Sequence, residues 1–183
     1  MKPALITLLR EHSYKYDPQG RFQLVSGKLS QYYVNCKATT MRGDAADLIG
    51  GLVAEHLPDS VRAVGGLTMG ADPIALATAA WCARHGRAVN AFSVRKEPKK
   101  HGTRQWVEGC AEPGMAVAVV DDVATTGGST IAAIERCREE GLVVVAAVVL
   151  VDRQEDNGLE SIRRAAGPDT PVSAIVTLAE LRG

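Results

Sequence analysis

Two adjacent carboxylates, Asp121 and Asp122, stand just before a cluster of hydroxyls and glycines: Thr125, Thr126, Gly127, Gly128, Ser129 and Thr130. Each type has a definite use. Glycine permits positive φ and lets the backbone come close to an anion. The hydroxyls donate to phosphate oxygens. Carboxylates repel phosphate but accept hydrogen bonds from a vicinal diol. One short segment therefore suits both ends of a ribose 5-phosphate. The plainer reading, a helix cap without a ligand, requires a single polar residue rather than two acids and four hydroxyls. The segment contains neither GK[ST] nor GxGxxG, so it is not a Walker loop or a dinucleotide fingerprint.

The flanking sequence positions this chemistry. Met115–Val120 is an unbroken apolar run rich in valine, which predicts a buried parallel strand with Asp121 and Asp122 at its C-terminal end. Ile131–Glu140 has helical composition and Gly141 follows as a stop. A helix N-terminus presents free N–H groups and partial positive charge to a phosphate.

The remaining chain repeats this unit. Ala4–His12 predicts a short amphipathic helix, and Phe22–Leu24 with Tyr32–Cys36 predicts a hairpin-like pair of strands. Helices are expected over Gly43–Leu57 and Pro73–Arg84, and strands over Val61–Gly66, Ala88–Val94, Leu142–Val151 and Val172–Val176. Asp152–Pro171 reads as irregular or partly helical. Alternating buried strands and helices indicate a parallel, doubly wound α/β sheet. Ligands of such sheets lie beyond the C-terminal strand ends. Four polar stretches fall there: Gly65–Asp72, Arg95–His101, Asp121–Ser129 and Asp152–Arg153.

At 183 residues the chain is expected to form one domain. Lys plus Arg and Asp plus Glu both number 21, and the zero net charge argues against a dedicated nucleic-acid or membrane-surface protein. The 4 cysteines (Cys36, Cys82, Cys110, Cys137) are widely spaced and read as free thiols of a reducing compartment. The N-terminus lacks a signal-peptide pattern, and Leu142–Val151 is too short to span a bilayer. A cytoplasmic protein is expected.

Arg95, Lys96, Lys99, Lys100 and His101 crowd cations into a polar stretch that is long for a compact domain. It reads either as a solvated charged hairpin or as a basic lid. A lid would neutralise a departing diphosphate and exclude water from a reactive sugar cation. Arg153, after the most apolar strand, offers a fork for a carboxylate or for ring carbonyls. Its plainer reading is a surface salt bridge with Asp152 or Glu155.

Five stretches, RFQLVSGKLSQYYVNCK, GGLTMGADPIA, VRKEPKKHGT, VVDDVATTGGST and LVDRQE, occur in the order seen in one family. The DDVATTGGS stretch resembles the 5-phosphoribosyl-1-diphosphate (PRPP) signature of the type I phosphoribosyltransferases. Together, from Arg21 to about Asn157, the stretches resemble orotate phosphoribosyltransferases. This resemblance implies a type I phosphoribosyltransferase-like parallel sheet flanked by helices. It implies a single domain over 1–183, in which about 1–40 plus the C-terminal segment form a small hood and about 43–155 form the core.

The implied reaction is transfer of the 5-phosphoribosyl group from PRPP to orotate, giving orotidine 5′-monophosphate and diphosphate in pyrimidine biosynthesis. Lys99, His101 and Lys96 would be catalytic. PRPP would be bound by Arg95, Lys96, Lys99, His101, Asp121, Asp122, Val123, Ala124, Thr125, Thr126, Gly127, Gly128 and Ser129. Orotate would meet Thr125, Arg153 and Tyr33, where Tyr33 is otherwise a packing residue of the hood. Mg²⁺ would be held through PRPP and water, with no protein metal ligands, and a homodimer would share the lid between subunits. Some family members carry PRPP-contacting lysines where this chain has Val25 and Gly70, and Lys28 or Lys37 is the available substitute. Two other readings stay open: a phosphoribosyltransferase for another base, or a non-catalytic PRPP-sensing regulator.

Overall fold

A computed structural model describes residues 1–23, 27, 29–98 and 105–183. The N-terminal segment begins with helix α1 (Lys2–His12), followed by strands β1 (Tyr14–Tyr16), β2 (Phe22–Gln23), β3 (Leu29–Ser30) and β4 (Tyr32–Val34). Here the pairing departs from the expected hairpin. Phe22–Gln23 pairs with Leu29–Ser30, whereas Tyr32–Val34 pairs antiparallel with Tyr14–Tyr16. Aromatic packing explains the choice: the Tyr32 ring stacks on Tyr14 and Tyr16 and carries the Arg182 guanidinium on its face.

A single turn, α2 (Lys37–Thr40), leads into α3 (Gly43–Ala54) and β5 (Ala63–Leu67). Then come α4 (Asp72–Arg84), β6 (Asn90–Val94), β7 (Val107–Gly109), β8 (Ala116–Ala124), α5 (Gly128–Glu139), β9 (Val143–Asp152), α6 (Gly158–Ala166), β10 (Val172–Thr177) and α7 (Leu178–Arg182). The main sheet has the order β10-β9-β8-β5-β6-β7. Its neighbours run parallel except for β7, an antiparallel edge strand inside the polar stretch after Arg95.

Period-two alternation divides the core between the two faces of the sheet. Along β8 and β9, Ala118, Val120, Ala146, Val148 and Leu150 pack in one cluster with Ile49 and Val53 of α3 and Ile74 of α4. Val117, Val119, Ala147 and Val149 pack in the other with Ala133 and Ile134 of α5 and Ile162 of α6. Burial on both faces is why these strands read as continuous valine runs. The expected Met115–Val120 strand continues through the acidic pair to Ala124, with Val123 opposite Val151 and Ala124 opposite Asp152.

The chain ends meet. Arg10 of α1 donates from Nε to the Leu181 carbonyl at 3.1 Å and from Nη2 to the Glu180 carbonyl at 2.7 Å. α7 is stabilised by a capping box between Thr177 and Glu180.

Candidate active site

Because β8 continues past Val120, its alternation carries into the carboxylates and sends them to opposite faces of the sheet. Asp121 turns toward α5. Its Oδ2 accepts from Thr130 Oγ1 at 2.8 Å and its Oδ1 from the Asp122 N–H at 3.0 Å. Asp122 turns toward α2, where Lys37 Nζ lies 3.6 Å from its Oδ2. Gly70 backs the same carboxylate: a β-carbon there would come within 2.8 Å of Asp122 Oδ1.

Burial pushes the Asp121 carboxyl up to about 7, and the neighbouring Asp122 charge adds to it. The bonds from Thr130 and the Asp122 N–H act in the opposite direction, as does Lys37. Between the ordinary value of 3.8 and about 7 the native state therefore holds a proton that the unfolded chain has lost. Stability falls as pH rises through that window. Asp121→Asn keeps the shape without the charge. It is expected to be more stable than the parent at pH 8, with the advantage vanishing toward pH 4, when urea midpoints are measured at both.

Gly127 is the N-cap of α5 and sits at φ 82°. The first helical bond runs from the Ile131 N–H to the Gly127 carbonyl at 2.9 Å, so the N–H groups of the first turn have no acceptor within the helix. They open onto a cavity of about 200 Å³ lined by Asp121, Val123, Thr125, Thr126, Gly127, Gly128 and Ser129. Gly158 packs behind this loop so closely that a β-carbon would lie 2.3 Å from the Thr125 carbonyl oxygen.

A second cavity, of about 490 Å³, has Thr125 and Thr126 on its wall with Asp122, Lys37, Asn35, Gln23, Tyr33 and Arg153. Arg153 is 4 % exposed. It donates to Glu155 from Nε at 3.1 Å and from Nη2 at 3.3 Å, and from Nη2 to the Tyr32 carbonyl at 3.1 Å and Ser30 Oγ at 3.4 Å. It does pair with Glu155, but as a buried cation tying the strand end to the N-terminal segment rather than as a surface bridge. Tyr33 stacks on Phe22 with ring centroids 5.6 Å apart and also faces this cavity.

A third cavity, of about 430 Å³, is lined by Thr68, Ser93, Arg95, Lys96, Glu97 and Glu108. Thr68 and Ser93 donate to the two Asp72 oxygens at 2.6 and 2.8 Å, fixing the loop after β5. Arg95 Nη1 pairs with Glu108 at 3.3 Å. Arg136, on α5, donates to the carbonyls of Arg95 at 2.6 Å and Lys96 at 3.1 Å, and its guanidinium lies over the Trp106 ring. Glu140 accepts from the Trp106 N–H at 2.7 Å. Arg95, Lys96 and Trp106 are thus anchored to α5 and its C-cap residue.

Of the residues singled out from sequence, Thr125, Tyr33, Arg153, Asp122, Val123 and Thr126 converge on the second cavity, and Asp121 with Gly127–Ser129 on the first. Ala124 is buried and its carbonyl accepts from the Arg153 N–H at 3.0 Å. Arg95 and Lys96 line the third cavity. Lys99, His101, Val25 and Lys28 lie outside the described residues. Sequence reasoning missed Asn35, Gln23, Gly158 and Arg136, none of which carries a motif of its own.

No family model matches the chain. The orotate phosphoribosyltransferase of Aquifex aeolicus (strain VF5) is 42 % identical over an alignment of 184 positions that covers 98 % of this chain and 97 % of that protein. The chain belongs to the orotate phosphoribosyltransferase family. Solved structures agree with that membership. Mycobacterium tuberculosis H37Rv orotate phosphoribosyltransferase in complex with Fe(III) dicitrate is 34 % identical, with a TM-score of 0.81 over 98 % of both chains. The structure of that enzyme in complex with PRPP is 31 % identical, with a TM-score of 0.75 over 100 % of this chain and 99 % of that one. The type I phosphoribosyltransferase sheet is therefore the architecture of this family member too.

Proposed function

We propose that this chain transfers the 5-phosphoribosyl group of PRPP to orotate, releasing diphosphate and orotidine 5′-monophosphate. The observation that carries the reading is the pair of adjoining cavities sharing Val123, Thr125 and Thr126. One presents helix N–H groups and hydroxyls to a phosphate. The other presents a buried guanidinium and an aromatic ring to a planar anion.

In this reading the 5-phosphate lies against Thr125–Ser129, and the backbone of Val123 and Ala124 sets the distance from there to the ribose. Asp121 and Asp122 approach the ribose hydroxyls from the two faces of the sheet. Arg153 takes the orotate carboxylate, and Tyr33 with Phe22 covers the ring. Lys37, brought to Asp122, supplies the cation that Val25 and Gly70 do not. Arg95 and Lys96 face the diphosphate, and Lys96, Lys99 and His101 act on it as it leaves. The chain stabilises separating charge and excludes water from the sugar cation, while orotate nitrogen attacks C1.

Mg²⁺ would be held through PRPP and water rather than by a set of protein ligands. The hard oxygens of diphosphate and ribose suit that ion, and Asp122 at the cavity floor is placed to accept from its waters or from the hydroxyls. When bound, Mg²⁺ neutralises charge on the departing diphosphate.

The division into a hood, about 1–40 with the C-terminal segment, and a core of about 43–155 is supported by the Arg10 and Arg182 contacts between the chain ends. Exposed Met69 and Leu76 are among the apolar side chains that a homodimer would cover. Among the described residues no helix is long and apolar enough to cross a membrane, and a cytoplasmic location fits that finding.

Following orotate loss spectrophotometrically with PRPP and Mg²⁺ tests the reading. Turnover is expected with orotate and not with adenine, guanine or uracil, and EDTA should stop it without shifting the melting temperature. Preference for a purine would overturn the substrate assignment, and PRPP binding without turnover would favour a sensor.

A further inference from the structure

The Arg153 guanidinium is held through two of its three nitrogens. Its Nε and Nη2 meet Glu155, and Nη2 also meets Tyr32 and Ser30, while among the described residues Nη1 has no hydrogen-bond partner. A cation 4 % exposed requires a counter-charge whether or not a substrate is bound. Glu155 supplies it, with Oε2 3.0 Å from Nη2 and its own side chain 29 % exposed.

The backbone holds this pair in place. Gln154, between the two residues, sits at φ 56°, and Asp156 and Asn157 follow at 50° and 54°. Left-handed backbone at three non-glycine residues is costly and persists where surrounding contacts hold it. The contacts are visible: Asp152 Oδ1 accepts from the Gln154 N–H at 2.8 Å, and Gln154 Oε1 accepts from the Ala179 N–H at 3.1 Å. The Arg153 N–H donates to the Ala124 carbonyl at 3.0 Å. The turn thus folds Glu155 back onto the arginine two residues before it.

We infer that Glu155 is a positioning residue of the base subsite. It occupies the Nε/Nη2 edge of Arg153 so that the Nη1 N–H groups stay aimed into the cavity at the carboxylate of a planar base. A fork fixed on one edge gives up less freedom when the other edge closes on a ligand. The inference rests on the reading of Arg153 as the orotate contact and deepens it. It assigns discrimination for an anionic base to a pair of residues rather than to one.

Kinetics of Glu155→Gln, Glu155→Ala, Arg153→Gln and the Glu155→Gln/Arg153→Gln double variant test it. Glu155→Gln and Glu155→Ala are each expected to raise the orotate KM about 10-fold, the size of one lost charge-assisted hydrogen bond. The PRPP KM should stay within about 2-fold, while the melting temperature falls because the buried cation has lost its counter-charge. In the Arg153→Gln background the Glu155→Gln change should have almost no further effect on orotate, since its target is gone. An orotate KM that is unchanged or lower in Glu155→Gln overturns the inference, the lower value meaning that Glu155 competes with substrate. So does a rise in both KM values, which is a structural role, and so do effects that multiply in the double variant. If Arg153→Gln itself leaves the orotate KM unchanged, the base-subsite reading fails first.

Discussion

Arg153→Ala is expected to raise the KM for orotate by about 10- to 100-fold while moving the KM for PRPP by less than about 3-fold, on the scale of a lost hydrogen bond to a charged group. Arg153 faces the 490 Å³ cavity beside Tyr33 and Thr125, whereas the cavity at the α5 N-terminus is lined without it. Truncation removes the guanidinium, leaves Glu155 without its ion-pair partner, and releases Ser30 and Tyr32. Loss of that last tie would loosen the N-terminal segment and weaken both substrates equally, so a control is needed. Arg153→Lys keeps the charge but cannot span Glu155 and Tyr32 together. It should fall between the parent and Arg153→Ala for orotate and match the parent for PRPP. Steady-state kinetics with each substrate varied in turn checks this, and parallel increases in both KM values would contradict the base-subsite assignment.

Gly66→Ala is expected to lower the melting temperature by about 6–12 °C, taking about 2–4 °C per kcal/mol for a chain of this length and about 3 kcal/mol for overpacking. A β-carbon at Gly66 would lie 2.0 Å from the Val120 carbonyl oxygen and 2.8 Å from the Ala71 side chain. The obstacle is backbone of the central strand, with no flexible side chain to yield. The adjacent Gly65 faces the same restriction from the Phe92 carbonyl at 2.2 Å. The damage would spread to chemistry, because β5 ends in the loop that Thr68, Asp72 and Ser93 hold beside Arg95 and Lys96. Gly43→Ala is the control: nothing lies within 4 Å of its β-carbon, and alanine at a helix start should leave the melting temperature unchanged or raised. A Gly66→Ala protein melting with the parent in calorimetry would show that the central strands can separate at no cost.

How much of this was legible in the sequence depends on how local each signal is. Apart from β7, the strands from Ala63 to Thr177 announced themselves because burial on both faces selects apolar runs rich in valine and alanine. The loop at Thr125–Ser129 was legible because a phosphate-sized helix start requires glycine and hydroxyls in consecutive positions. β4 was legible within the Tyr32–Cys36 run, but β1 and β7 span only 3 residues each, too few for a period to show. Their pairings depend on tyrosine stacking and on sheet edges that no local pattern records. The opposed directions of Asp121 and Asp122 follow from continuing the strand alternation two residues further. α7 carried a signal that could have been read, the capping box from Thr177 to Glu180. Gly158 and Arg136 gave none, because each matters through a segment distant in the chain: the Thr125 carbonyl for one, and Arg95, Lys96 and Trp106 for the other.

Helix α5 has the phosphate-facing turn at one end and the Arg136 clamp two turns later. At about 1.5 Å per residue, the eight residues from Gly128 to Arg136 make a rigid spacer of roughly 12 Å. In the proposed function the helix is a gauge block between the turn offered to the sugar's phosphate and the root of the cationic stretch. Its length is written in residues rather than in side-chain chemistry. Substitutions along its surface leave the gauge intact, while deleting a single residue would draw the clamp in by about 1.5 Å and swing Arg136 by about 100° away from the carbonyls it holds. Tolerance to substitution and intolerance to insertion or deletion should therefore diverge more sharply here than elsewhere in the chain.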